Sequence, residues 1–485
     1  MKNIKQITIA LLLLLPFACS KDQLDLYPKT SLTEGNFYKT ETQLIQTVND
    51  VYRQMRIIYD AQGIADLYGE LRSDNVYIKI SAGGGTNSVD INGFAIRTDN
   101  PLIEAAWETC YKSIYICNNA IEQLDKTTVV FQQPDLKERL KAEAVFVRSL
   151  IYFNMVRAWG DVPLILSVVT PEESYNFLRE SKNNVYKQII KDLNYCKNIL
   201  PEKYTGINVG RTTKYGAAAV LAKVYLTLGD KLNTEKELRE IINSGLYSLD
   251  ANANGTINAD DYRFIFQPNT KNSKASLVEV QYLAGVNAAN SDHQRAYAPW
   301  HFAFHLPGSV ENLLGLGLNT PTQDIINEFE PNDPRRAASV NPGFTNLSNN
   351  QVIDYPWTPK FYDPTWRNPG QNFKIIRYAD ILLMLSEVTS DPVYLNMVRA
   401  RVGLPGFGQL GYPSQYNTLS KALEHERRVE FSFEFHRFFD LVRTGRAIEV
   451  MQSKGYTINQ NNSLFPIPLS AIDVNPKIKQ NPGYN

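Results

Sequence analysis

Asp250, Asn252, Asn254, Asn258 and Asp261 stand at positions 1, 3, 5, 9 and 12 of a twelve-residue stretch, with Gly255 at position 6 and apolar Ile257 at position 8. Oxygen side chains at that spacing wrap a hard divalent cation. The glycine allows the sharp turn, and the carbonyl of the seventh residue, Thr256, adds a ligand. The last position is Asp where an EF-hand has Glu, as in dockerin-type loops. With Asp250 and Asp261 as the only charged ligands, the stretch predicts a weak, structural Ca2+ site. The alternative is an Asn/Gly-rich turn whose side chains bond their own backbone and need no metal.

A second chemistry is stacking. The segment Asp292-His293-Gln294-Arg295-Ala296-Tyr297-Ala298-Pro299-Trp300-His301 mixes rings with hydrogen-bonding groups. A ring can offer its face to the apolar C–H surface of a sugar while polar neighbours bond the hydroxyls between. Arg295, Tyr297, Trp300 and His301 are therefore candidate ligand residues. Tyr77, just after Asp74 and Asn75, is a further ring with polar neighbours, and Trp357 and Trp366 lie in a Pro-containing stretch. The chain holds 27 Tyr, 22 Phe and 5 Trp, so most rings must serve the core and each candidate competes with a buried role.

Catalytic patterns are weaker. His425-Glu426 opens like a zinc-protease helix, but the residue four positions after His425 is Val429, which cannot ligate a metal. Gly83-Gly84-Gly85 lacks the Gly-Lys-Ser/Thr that completes a phosphate loop, and no G-x-S-x-G elbow occurs. Cys110, Cys117 and Cys196 show no C-x-x-C spacing. On a helix, Cys110 and Cys117 would lie about 10 Å apart, too far for a disulfide. Paired carboxylates for glycoside hydrolysis stay open, because their separation is a property of the fold. No catalytic residue is assigned, and the chain reads as a binding protein with no cofactor besides the calcium.

The elements that must position these residues are mostly helical. Leu136, Leu140, Ala144, Val147, Ile151, Met155 and Ala158 recur at steps of three and four and predict a helix closed by Gly160. A second helix spans about 213–228, with neighbours at 185–200 and 236–244; further helices are predicted over 378–388, 392–401 and 419–446. In the last, Glu424, Arg427, Arg428, Glu430, Glu434, Arg437, Asp440 and Arg443 alternate in sign like a salt-bridged helix. Phe431, Phe435, Phe438 and Val442 form the apolar stripe beside them. Successive amphipathic helices with small residues such as Ala217, Ala218, Ala219 and Ala222 suit tetratricopeptide-like packing. Between about 247 and 372 the pattern changes to short β-like runs, Leu277–Leu283 among them, broken by Pro, Gly and Asn, where the binding apparatus is expected.

Lys2 and Lys5 precede an apolar run, Ile9–Leu15, too short to span a bilayer, which reads as an export signal. It leads into Leu15-Pro16-Phe17-Ala18-Cys19, similar to the lipobox of bacterial lipoproteins, with Pro16 as a departure. Acylation of Cys19 would anchor the protein by lipid alone, the alternative being ordinary cleavage near Ala18. Residues 1–18 are thus read as signal peptide, 19–39 as tether and 40–485 as one folded body. Its helical scaffold covers about 40–246 and 373–463, around a loop-rich binding region at 247–372. With 50 basic and 50 acidic residues the chain is formally neutral, which argues against nucleic acid as a partner.

Segments spread over most of the chain resemble the SusD/RagB family of surface glycan-binding lipoproteins. They include Lys141–Arg148 leading to Tyr152-Phe153, Trp159-Gly160-Asp161-Val162-Pro163-Leu164, Gly210–Lys214, Lys223–Leu226, Arg377–Leu383 with Glu387, and Leu395–Arg399 with Arg401–Pro405. The densest group is Glu426-Arg427, Glu430-Phe431, His436-Arg437 and Asp440–Arg443 with Gly445, followed by Pro466–Pro468, Asn475-Pro476 and Gln480–Tyr484. Ser386 stands where the family usually has Ala, and Phe435 where it tends to have Gly, a change that would alter a local bend. The resemblance implies a mainly α fold of four tetratricopeptide-like helix pairs with an irregular ligand-binding face and few short strands. It also implies a lipid-anchored outer-membrane location, a glycan or, in the RagB-like branch, a peptide as ligand, and a SusC-like TonB-dependent transporter as partner. An interaction scaffold without a small ligand is the remaining alternative.

Overall fold

The computed structural model describes residues 37–79, 85–300, 306, 314–363 and 367–484. The export signal, Cys19, nearly all of the tether, His301 and Trp366 lie outside the described residues.

Helix α1 (Glu41–Tyr59) begins at a capping box in which Thr40 accepts from the Gln43 amide and Gln43 returns the bond to the Thr40 amide. In α2 (Pro101–Lys126) Asn100 caps the first turn and Pro101 takes the position whose N–H has no helical partner anyway. Helix α3 (Leu136–Trp159) is buried on nearly every side from Ala142 onward and stops at Gly160, whose φ of 73° only glycine adopts without strain. Next come α4 (Lys182–Ile199), α5 (Lys214–Thr227) and α6 (Lys231–Asn243). Helix α6 starts earlier than its apolar periodicity indicates because Asp230 caps it through the Asn233 amide. After a long insertion the array resumes with α7 (Tyr378–Thr389) and α8 (Pro392–Arg401).

Each helix packs on its successor: α1 on α2, α2 on α3, and so on to α7 on α8, with α1 also against α3. The result is four consecutive helix pairs, the tetratricopeptide-like array. In its middle, Ala217, Ala218, Ala219 and Ala222 of α5 are fully buried, and such small side chains let neighbouring helices approach closely. Cys110, Cys117 and Cys196 are free and buried in the same core, which pushes the Cys117 thiol up to about 12 and makes it unreactive.

Strands serve as clips. The antiparallel pairs are β1 (Val76–Tyr77) with β5 (Thr320–Pro321), β2 (Val162–Pro163) with β3 (Arg179–Glu180), β4 (Ser276–Val280) with β8 (Phe373–Arg377), and β6 (Phe344–Thr345) with β7 (Val352–Ile353). The pair β4–β8 is buried throughout and ties the insertion to the start of α7.

The predicted helix over 419–446 is instead two, α9 (Leu419–Glu430) and α10 (Arg437–Arg443). Between them Phe433 and Phe435 adopt φ of 66° and 64°. The amides of both donate to the buried Glu70 carboxyl, at 3.2 and 3.1 Å. Phe435 thus holds the backbone conformation that glycine favours, and its ring stacks on Phe373 at 4.6 Å. The charged residues around this break are mostly not partners along one helix. Glu430 meets Arg377 at 2.7 Å, Arg335 at 3.0 Å and Arg401 at 2.6 Å, all fully buried. Burial opposes ionisation of Glu430, but Arg401, Arg377 and Arg335 outweigh it and hold its pKa well below the usual carboxylate range. Arg427 likewise bridges Asp380 at 2.7 Å and Asp440 at 2.8 Å. The alternating charges form a buried network that bolts the insertion and the C-terminal helices to the array.

Candidate functional site

Asp74 and Asn75 precede β1 and fix it. The Asp74 carboxylate accepts from Arg437 Nε at 2.8 Å and pairs with Arg428 at 2.9 Å. Burial raises its pKa, but Arg428 and Arg437 prevail and leave it well below the ordinary range. Asn75 accepts from Arg428 Nε at 3.0 Å and donates to Glu70 at 3.0 Å. Their carbonyls bind Thr322, through its hydroxyl and its amide, at 2.9 Å each, which sets the register of Tyr77 opposite Thr320. The expectation that Asp74 and Asn75 touch a ligand is therefore corrected: both are buried and saturated, and their work is to position Tyr77.

Trp300 is placed by two glycines. Its backbone bridges Gly315, and a Cβ there would lie 2.3 Å from the Pro299 carbonyl oxygen. At Gly317, with φ of 61°, a Cβ would lie 2.5 Å from the Tyr355 hydroxyl and 3.1 Å from Trp300 Cβ. Tyr355 and the partly buried Trp300 share a small satellite core with Ala298, Leu306, Phe344 and Trp357. Lys79 lies over the Tyr355 ring, its nitrogen 4.0 Å from the centroid. Tyr77 is close by: burial first, and then Tyr355 and Asp354, raise its phenol pKa. Tyr355 therefore links Tyr77, Lys79 and Trp300, all partly exposed, in one shelf.

Two further ring assignments are corrected. Tyr297 is 3% exposed, packed against Phe361 at 5.5 Å and His293 at 6.0 Å in the main core. Trp357 is 5% exposed, meets Tyr362 edge-on at 5.6 Å, and pairs its backbone with Asn341. Trp357 packs in the satellite core with Tyr355, while Tyr297 belongs to the main core. Arg295 is partly exposed and pairs with Asp292 at 3.3 Å. Sequence reasoning missed Lys79 and Tyr355. Tyr355, two residues before Trp357, and the Gly315-Leu316-Gly317 pattern were readable signals; Lys79 has none.

His425 is held between two carboxylates. Its Nδ1 faces Glu328 at 2.6 Å and its Nε2 faces Glu330 at 3.1 Å. Burial disfavours the imidazolium, but hydrogen bonds with the two carboxylates outweigh it and raise the pKa. In the 250–261 loop, Asp250 accepts from the amides of Asn254 at 3.1 Å and Gly255 at 3.0 Å. Asp261, which is buried, accepts from Asn252 at 3.2 Å and Asn258 at 2.9 Å. Both carboxylates are turned inward across the loop, while Asp260 turns out to Arg263 at 2.9 Å. Among the described residues no group of three or more His, Cys, Asp or Glu side chains could hold a metal. A cation in this loop would rely on the two carboxylates together with Asn and backbone oxygens.

A helical-repeat array and its long insertion together leave Tyr77 and Trp300 partly exposed around the buried Tyr355. The chain belongs to the SusD/RagB family: a profile described as starch-binding and associating with the outer membrane matches residues 24–226, and the SusD family profile matches 355–484. A SusD-like protein of Formosa agariphila is 26% identical over the full length of both chains. Another, of Bacteroides ovatus, is 26% identical over 58% of this chain and 50% of its own. Among solved structures, a laminarin-binding SusD-like protein superposes with a TM-score of 0.77 at 26% identity, covering 92% of this chain and 100% of that one. Surface glycan-binding protein A of Bacteroides thetaiotaomicron, in complex with laminarihexaose, is similar in fold, with a TM-score of 0.74 at 20% identity over 91% of this chain and 99% of its own. Among the described residues no helix is long and apolar enough to cross a membrane.

Proposed function

We propose that this protein captures a glycan at the cell surface and passes it to a SusC-like TonB-dependent transporter. The observation that carries this reading is the shelf of Tyr77, Trp300 and Tyr355, two of whose rings are partly exposed beside the polar groups Lys79 and Asp354. Sugars are recognised by such a mixture of ring faces and hydrogen-bonding groups. The similarity to a laminarin-binding relative supports the same class of ligand. Acylated Cys19 would hold the protein at the outer membrane, with the tether leading to α1. The role assigned is binding and hand-over, with no catalytic step. The test is calorimetry of the soluble form, beginning after Cys19, against a panel of polysaccharides and peptides. Binding to at least one glycan supports the reading, and tight binding to peptides with none to glycans replaces it by peptide capture. Co-purification with a transporter barrel from outer membranes tests the hand-over.

We also propose the 250–261 loop as a weak Ca2+ clip, supported by its ligand spacing and the inward turn of Asp250 and Asp261. Calorimetry with CaCl2 should show sub-millimolar to millimolar binding that Asp250→Ala abolishes. An identical, heatless titration for both proteins would leave the loop as a metal-free turn.

A further inference from the structure

Among the described residues, buried and half-buried lysines without a carboxylate partner, such as Lys374 and Lys271, donate to backbone carbonyls, whereas the Lys79 ammonium has a ring face as its described contact. Lys360 is paired with Glu434 at 2.7 Å and Lys223 with Asp380 at 2.7 Å. Lys79 is half-buried and held 4.0 Å above the Tyr355 ring, yet no described carboxylate lies within 4.0 Å of its nitrogen. Asp354 is near enough to Tyr77 to raise its phenol pKa, but it is exposed and does not pair with Lys79. Confining a long, flexible side chain over a ring costs rotamer entropy, and the ring face compensates only part of its charge. The remaining charge stands at the edge of the two partly exposed rings, where a stacked sugar would carry its substituents.

We infer that the shelf selects glycans bearing anionic substituents, a carboxylate or a sulfate ester, with Lys79 as the specificity-determining residue. The inference rests on the reading of the shelf as the glycan site. A flat ammonium–anion contact at a partly exposed position contributes modestly, and its loss weakens binding about threefold to fivefold. The rings would supply the rest, so a neutral glucan that fits them would bind without using Lys79.

Native affinity electrophoresis in gels containing laminarin, alginate or carrageenan tests this with the wild type, Lys79→Gln and Lys79→Arg. The expected result is retardation by alginate or carrageenan that falls about threefold to fivefold in Lys79→Gln and is kept in Lys79→Arg. It should also weaken at about 0.5 M NaCl, where surface charge contacts are screened. Alginate separates a carboxylate requirement from the sulfate requirement that carrageenan reports. Retardation by laminarin with none by either anionic polymer overturns the inference, and so does equal retardation of the wild type and Lys79→Gln by an anionic polymer. No retardation in any of the three gels also overturns it, while the polysaccharide and peptide panel decides the glycan reading separately. Thermal melts of both variants check that the shelf still folds.

Discussion

Replacing Gly317 by Ala isolates the device that brings Trp300 and Tyr355 together. Two costs are expected. The left-handed φ of 61° costs an alanine about 1–2 kcal/mol. The new Cβ, 2.5 Å from the Tyr355 hydroxyl and 3.1 Å from Trp300 Cβ, forces one ring aside, an overpacking cost of about 1–3 kcal/mol. Gly229→Ala is the matched control, because Gly229 has φ of 75° and nothing within 4 Å of the added Cβ, so it bears the backbone cost alone. Urea unfolding should find Gly317→Ala the less stable of the two by about 1–3 kcal/mol. Affinity electrophoresis should show lost glycan retention for Gly317→Ala and unchanged retention for Gly229→Ala. Equal stability of the two variants together with normal retention by Gly317→Ala would refute the claim that the glycine shapes the site.

Three other outcomes follow from the buried network. Glu430→Gln leaves Arg335, Arg377 and Arg401 around a neutral amide and should cost about 3–5 kcal/mol in urea unfolding, whereas Glu108→Gln, which removes an exposed partner of Lys112, should cost under about 1 kcal/mol. Phe435→Gly relieves about 1–2 kcal/mol of backbone strain but deletes a buried ring worth about 3–5 kcal/mol, so a net loss of about 1–4 kcal/mol is predicted; a stabilised variant would show that strain dominates. His425 has a raised pKa, so its contribution is fully present below the unfolded value near about 6.5 and is lost as pH rises through the folded value. Wild-type stability should therefore fall above about pH 6.5 by more than that of His425→Gln, and parallel pH profiles would contradict the assignment.

The helical array was legible because its signals are local. The apolar steps of α3, the alanines of α5 and the Gly160 stop lie within a few residues of what they determine. The break at 431–436 was not legible, since Phe431, Phe435 and Phe438 repeat at helical spacing and the carboxyl that captures the freed amides belongs to Glu70, far away in the chain. The same distance hid the role of Asp74 and Asn75. Beside Tyr77 they resemble ligand groups, but their partners Arg428 and Arg437 come from the other end of the sequence. Trp300 and Tyr77 were named from their polar neighbours, and the structure places both beside Tyr355. Tyr297 and Trp357 were named in the same way and are buried, because local composition does not report burial. Phe435 in place of a family glycine was expected to alter a local bend, but its φ of 64° shows the backbone keeping the glycine conformation with a ring attached.

The central claim is that partly exposed rings on a helical frame hold a sugar. Calorimetry of the wild type, Tyr77→Ala and Trp300→Ala with the polysaccharide that binds in the panel tests it most directly. Each substitution is predicted to weaken binding about tenfold, as expected for the loss of a stacking face, with both variants still melting cooperatively and Trp300→Ala at a lower temperature because that ring also packs on the satellite core. Unchanged affinity in both variants, with the wild type binding tightly, would place the glycan elsewhere on the molecule and contradict the account.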